Sequence, residues 1–182
     1  PALMAAKGDN AQAAKAYVAL SKSLFTGEPQ VLRNYDGSYV VWRQADGKLV
    51  GVDVPRFLYR YELAEQAAYD ALAADAGNGA AKSMIALTAF AEIAAFDALS
   101  EEARGSEDMA AVAGVIGHAR ALANSVGADG LGRALNMAVD LGHGEAAAQV
   151  AGAMPRVWNG GEIGADNALV KALEAKDKRA RY

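Results

Sequence analysis

Two histidines, no cysteine and a scatter of carboxylates are the raw material for chemistry in this chain. The absence of cysteine excludes disulfides, thiolate nucleophiles and thiolate-bound metals. His118, in GVIGHARAL, lies near the border of an apolar helical stripe. His143, in DLGHGEAA, stands between two helical stretches, with Asp140 before it and Glu145 after it. An imidazole metal site normally repeats histidine at helical spacing, as in HExxH, and neither histidine has such a mate. No metal ligand, cofactor site or catalytic residue is therefore expected, and His143 reads as a solvated loop side chain.

Glu101, Glu102, Glu107 and Asp108 crowd one short loop, where they favour the start of a following helix. They lack the alternating oxygen offsets of a calcium loop. Glu92 and Asp97 differ, because they interrupt the most apolar stretch of the chain, AAKSMIALTAFAEIAAFDAL. Each must reach an edge, find a cation or mark a groove, and the pair is carried forward as a candidate acidic groove. The glycine-bearing loop GADGLGRAL puts backbone amides and Arg133 at a helix start, an anion site in principle. It has no preceding strand and no lysine-serine pair after it, so neither a dinucleotide fold nor a P-loop is supported. The serines lack a nucleophile-elbow setting.

The remaining candidate surface is aromatic. PRFLYRYELAEQAAYD alternates aromatic rings with Arg56 and Arg60, beside a hairpin that carries Trp42. Tyrosine, tryptophan and arginine concentrate in interface hot spots because they combine large rigid contact with polar ends. Trp42, Arg56, Tyr59, Arg60 and Tyr61 are thus candidate partner-binding residues. The same side chains would serve equally well to seal the junction between hairpin and helices.

Composition sets the frame for these candidates. The 53% apolar fraction of the 182 residues is met largely by alanine, which favours closely packed helices. A net charge of -4 with interspersed signs leaves no electrostatic footprint for nucleic acid or anionic lipid. The most apolar stretch contains Lys82, Glu92 and Asp97 and is too polar for a lipid-facing span. The expected partner is a protein, or another domain of the same longer chain; no nucleic acid and no membrane are expected. Composition does not choose between cytoplasm and periplasm.

A first helix is predicted over residues 11–25, stopped by TGEPQ. In SYVVWRQADGKLVGVDVP, Asp46 and Gly47 form a two-residue turn, setting Ala45 opposite Lys48, Arg43 opposite Val50 and Val41 opposite Val52. One face of this hairpin, with Tyr39, Val41, Val50, Val52 and Val54, requires cover. Helices then follow: from Tyr61 or Glu62 to Asp75, from Ala80 to Leu99, from about Met109 to Val126, from Leu131 to Leu141, from Glu145 towards Trp158 with a break near Pro155, and from Asn167 to Ala175. In the second of these the large apolar residues spread around nearly the whole circumference, which marks a central, enclosed element.

Residues 62–99, 107–141 and 145–175 fall into pairs of about 30 to 40 residues, the period of helical solenoids. An irregular helical bundle fits that periodicity equally well. The tail NALVKALEAKDKRARY resembles the HEAT-repeat family: an apolar helix with Leu169, Val170 and Leu173, an acidic turn at Asp177, then Arg181 opening a second helix, with Ala180 where valine is usual. The resemblance implies a mainly all-α helical-hairpin solenoid with one β-hairpin insertion near residues 38–54. It also implies a ladder of polar contacts through Asp177 and Arg181. Residues 1–61 would form a helix-plus-hairpin cap and 62–182 an array of helical pairs that continues beyond Tyr182. The expected function is a non-catalytic scaffold for protein-protein or interdomain contact. Two alternatives remain: an enzyme or small-ligand-binding domain on an irregular helical fold, and a purely structural connector.

Overall fold

The computed structural model describes residues 10–29, 39–45, 47–106, 109–157 and 166–174. Among them it is mostly helical, with one antiparallel hairpin. Helix α1 (Asn10–Thr26) ends where Gly27 takes a φ of 74°, a left-handed conformation in which a side chain would clash. The Gly27 and Glu28 amides then turn back to the carbonyls of Leu24 and Ser23, both at 3.0 Å, which satisfies the last turn.

Strands β1 (Val40–Ala45) and β2 (Lys48–Asp53) pair in the register that the Asp-Gly turn dictates, with Val41 opposite Val52 and Arg43 opposite Val50. Asp46 itself lies outside the described residues. The apolar face is covered only at its base. Val41 and Val54 are buried, whereas Val50 and Val52 are 44% and 38% exposed, because β1 docks on α2 and β2 is the outer strand of the ribbon.

Helix α2 (Arg56–Ala74) starts well before the expected Tyr61 or Glu62. Pro55 needs no amide partner and already has the backbone φ of a helix entry, and its carbonyl accepts from Leu58 and Tyr59 at 2.9 and 3.1 Å. The run FLYRY therefore forms the first turns of a helix whose Leu58, Tyr61, Ala64, Glu65 and Ala68 face inward. A buried hydrogen bond from Ser21 Oγ to the Ala64 carbonyl, 2.7 Å, ties α1 to it.

Helix α3 (Gly79–Asp97) is capped by the Asn78 side chain, which accepts from the Ala81 amide at 2.9 Å. Every residue from Ser83 to Ala94 is buried. The helix packs against α2, against α1, and against three later helices: α5 (Ala110–Ser125), α6 (Ala128–Asp140) and α7 (Gly144–Ala153). A short α4 (Glu101–Arg104) follows α3, a 3-10 turn over Met154–Arg156 breaks the chain at Pro155 as expected, and α8 (Asp166–Glu174) packs on α6. One hydrophobic core runs from Phe25 through Leu58, Leu87, Ile116 and Leu135 to Ala172. By length and composition α3 could cross a membrane, yet it is the most enclosed helix described.

Of the expected sequential pairs, α2 and α3 pack on one another, whereas α5 packs on α3, α6 packs on both α3 and α7, and α8 packs on α6. Trp158, Asp177 and Arg181 lie outside the described residues. The helix expected over residues 167–175 is present as α8, with Lys171 paired to Asp140 of α6.

His143 is not the solvated loop residue expected from its glycine neighbours. Gly142, at φ 69°, closes α6, and the next residue is thereby delivered to the N-cap of α7. There Nδ1 accepts from the Ala146 amide at 3.2 Å and Nε2 meets the Tyr61 hydroxyl at 2.8 Å, with the ring 5.0 Å from that of Phe25. An accepting Nδ1 leaves the ring proton on Nε2, from which it is donated to Tyr61. His143→Ala should cost about 1–2 kcal/mol in denaturant unfolding, and His143→Asn, which retains a capping acceptor, should recover much of the loss. Leu87→Ala should cost about 2–5 kcal/mol, because the site is enclosed on all sides. Leu49→Ala, at the exposed tip of the hairpin, should change stability by no more than about 0.5 kcal/mol.

Candidate functional site

Two constellations gather the residues that could do work, and both are built on α2. The first lies at its N-terminal end. Arg56, Phe57, Tyr59, Arg60 and Tyr61 line a cleft of about 740 Å³, closed by Tyr39 of the hairpin base, Ala95 of α3 and Glu145 of α7. Four of the five candidate partner-binding residues thus share one concavity. The fifth, Trp42, is 60% exposed on the hairpin and does not line it.

The shared residues divide by role. Tyr61 is buried, with its ring 5.4 Å from Phe25, its hydroxyl bonded to His143, and the Arg60 guanidinium 4.5 Å above its ring. Burial raises its pKa above the ordinary phenol value, with Arg60 opposing, so it stays neutral and seals the junction. Tyr59 stands edge-on to Tyr39 at 5.3 Å, and the exposed Arg56 forms no ion pair among the described residues.

The second constellation sits in the middle of α2. Glu62 and Glu65, one helical turn apart, face Glu92 of α3, and one carboxylate oxygen from each lies within 4.8 Å of the others. All three residues are buried, at 2%, 7% and 2% exposure. Arg43 reaches down from β1 to pair with Glu62, and His118 of α5 stands 3.7 Å from Glu65 on the solvent side. Above them Gln66, Tyr69, Asp70, Arg43 and His118 border a hollow of about 240 Å³. Glu92 Oε1 is fully buried and has no hydrogen-bond partner among the described residues.

Electrostatics follow from that enclosure. Desolvation, reinforced by Glu62 and Glu65 and opposed by Arg43, lifts the Glu92 carboxyl to about 9. Desolvation and Glu62 also raise Glu65, against the pull of His118 and Arg43. Burial raises Tyr69 as well, with Glu65 adding to it.

The expected groove around Glu92 and Asp97 is not one feature. Five positions on a helix turn through about 140°, so the two side chains leave α3 in different directions. Glu92 enters the carboxylate cluster; Asp97 lies on the surface, 3.7 Å from Arg120 and 3.4 Å from the Gln149 amide. Glu62, Glu65 and Arg43 were not singled out by sequence. The available signal was the ExxE spacing of YELAEQ, flanked by the inward-facing Tyr61 and Ala64.

No family model, curated protein or solved structure matches the chain. The geometry of the two constellations therefore carries the functional reading.

A pH dependence follows from the cluster. Between the ordinary carboxylate value of 4.5 and about 9, folded Glu92 keeps a proton that the unfolded chain has released. Its contribution to stability is fully present below 4.5 and is lost as pH rises towards 9, and Glu65 acts in the same direction. Urea unfolding in metal-free buffer should show stability falling by up to about 1 kcal/mol per pH unit across this window. Glu92→Gln, which keeps the shape and cannot ionise, should flatten the fall; an equally steep profile in the variant would contradict the assignment.

Proposed function

We propose that the chain is a non-catalytic helical scaffold that holds an extended, carboxylate-bearing segment of a protein partner in the cleft at the start of α2. The observation that supports this reading is the convergence of Arg56, Tyr59, Arg60 and Tyr61, chosen for their chemistry, on one concavity of about 740 Å³. Arg56 offers a charge not committed to an ion pair among the described residues, and Tyr39, Phe57 and Tyr59 offer apolar walls. Tyr61 and His143 hold the floor in place from beneath. A bidentate guanidinium contact with a carboxylate, flanked by aromatic rings, is a recognition mode suited to extended peptides.

Within this proposal the finer architecture is a HEAT-like set of helical hairpins, supported by the packing of α2 on α3; the other expected pairs, α5 with α6 and α7 with α8, meet marginally at most among the described residues. The enclosure of α3 by five helices weighs against an open array, in which each unit would touch only its neighbours. The alternative of a small-ligand-binding domain draws its support from the buried carboxylates.

The test is selection of a random extended-peptide library on the immobilised chain. Acidic peptides with neighbouring apolar side chains should be enriched. Arg56→Glu and Tyr59→Ala should each weaken their binding by about 30-fold or more, as hot-spot losses do, with unchanged far-ultraviolet circular dichroism. Failure to enrich acidic peptides, or equal affinity in both variants, would remove the cleft from consideration.

A further inference from the structure

We propose that Glu62, Glu65 and Glu92 bind a single divalent metal ion, reached from solvent past His118. The proposal is independent of peptide binding at the cleft and rests on four observations.

The first is spacing. Two oxygens bound to one ion lie no further apart than twice the metal-oxygen distance, about 4.2 Å for a bond of about 2.1 Å and about 4.8 Å for one of about 2.4 Å. The three carboxylates present oxygens within 4.8 Å of one another; even at that limit their common centre is about 2.8 Å from each, so shifts of well under 1 Å in the side chains bring all three to bonding distance of one ion.

The second is charge. Three ionised carboxylates beside the single guanidinium of Arg43 leave two negative charges, which one divalent ion neutralises. The third is the state of Glu92. Its Oε1 is buried and meets no donor among the described residues, a costly state for a buried polar atom. A cation among the three carboxylates would supply the Glu92 carboxylate with the counter-charge that the described side chains and backbone do not.

The fourth is the setting. Glu62 and Glu65 project from one helix and Glu92 from another, packed directly against it, so the donors are held on rigid elements. The hollow above them gives a path to solvent, and the half-exposed His118 stands at its edge beside Glu65 as a nitrogen donor. A set of carboxylate oxygens with an adjacent imidazole suits ions that accept both, of which Mn²⁺ is the type; purely oxygen-loving Ca²⁺ and Mg²⁺ would forgo the imidazole.

The competing occupant of the cluster is a proton, and the experiment separates the two. The whole chain, stripped with chelator, is titrated with Mn²⁺ alone at neutral pH, followed by calorimetry and by loss of the free-ion electron paramagnetic resonance signal. One saturable site is expected, with a dissociation constant on the order of 10 μM. Glu92→Gln and Glu65→Gln should each weaken it by 10-fold or more, and His118→Ala by less. Glu101→Gln with Glu102→Gln, on the exposed short helix α4, should leave it unchanged. Absence of saturable Mn²⁺ binding would overturn the proposal and leave the cluster to protons. So would unchanged affinity in Glu92→Gln and Glu65→Gln, whose near-identical shape and lost charge favour folding; wild-type resonance spectra give the stoichiometry even where one variant fails to fold.

Discussion

A helix that is apolar on every side has no face it can leave in water. For α3 that constraint is met by α1, α2, α5, α6 and α7, which surround it. Small residues make the enclosure possible. Ala64, Ala68 and Ala71 on α2, Ala81 and Ala91 on α3, Ala134 and Ala138 on α6 and Ala146 on α7 are all fully buried, so helix backbones approach closely and bury area without long side chains. The core is accordingly thin, with Phe25, Leu58, Met84, Leu87, Ile116 and Leu135 filling the spaces between alanine contacts. Close packing of this kind leaves little room for adjustment at any one position.

The same enclosure determines where the polar residues go. Glu92 is on the part of α3 that no orientation can expose, so its carboxylate must find company inside the fold. It finds Glu62 and Glu65 on α2, and the hairpin contributes Arg43 from above. The ribbon therefore does more than cover a helix end: its base is packed, its tip is exposed, and one of its side chains reaches the most electrostatically demanding point of the structure. Tyr61 and Glu62 are neighbours in sequence, yet a turn of about 100° sends one to the cleft and the other to the carboxylates. One helix thereby supports two unlike surfaces, each backed by α3.

Much of the fold was legible from the chain. The hairpin register followed from Asp46-Gly47, because turn geometry sets strand pairing. The central position of α3 followed from apolar residues all around its circumference. Helix α2 begins five residues before Tyr61 because the entry is decided by Pro55, not by the apolar spacing further along. His143 was misjudged because glycine neighbours suggest a loop, whereas Gly142 uses its left-handed conformation to place the imidazole at a helix cap. The aromatic candidates largely share a cleft because helical spacing brings residues 56, 59 and 60 together; Trp42 is held away on the ribbon. Glu62 and Glu65 were passed over because a carboxylate pair at helical spacing is ordinary on a wet face, and nothing local says that this face is dry.

By itself the sequence determined local conformation: which stretches are helical, where they stop, how the hairpin pairs, and which helix must be enclosed. These are properties of backbone preference and hydrophobic periodicity, which act over a few residues. Only the tertiary structure decided which side chains meet across 20 to 80 positions of chain, as Arg43 meets Glu62, Glu62 meets Glu92 and Tyr61 meets His143. Those meetings depend on how helices pack around α3, and packing is set by the simultaneous burial of many faces. Three carboxyl groups that would be solvated in isolation become, by that packing, the most buried carboxyl groups described in the protein.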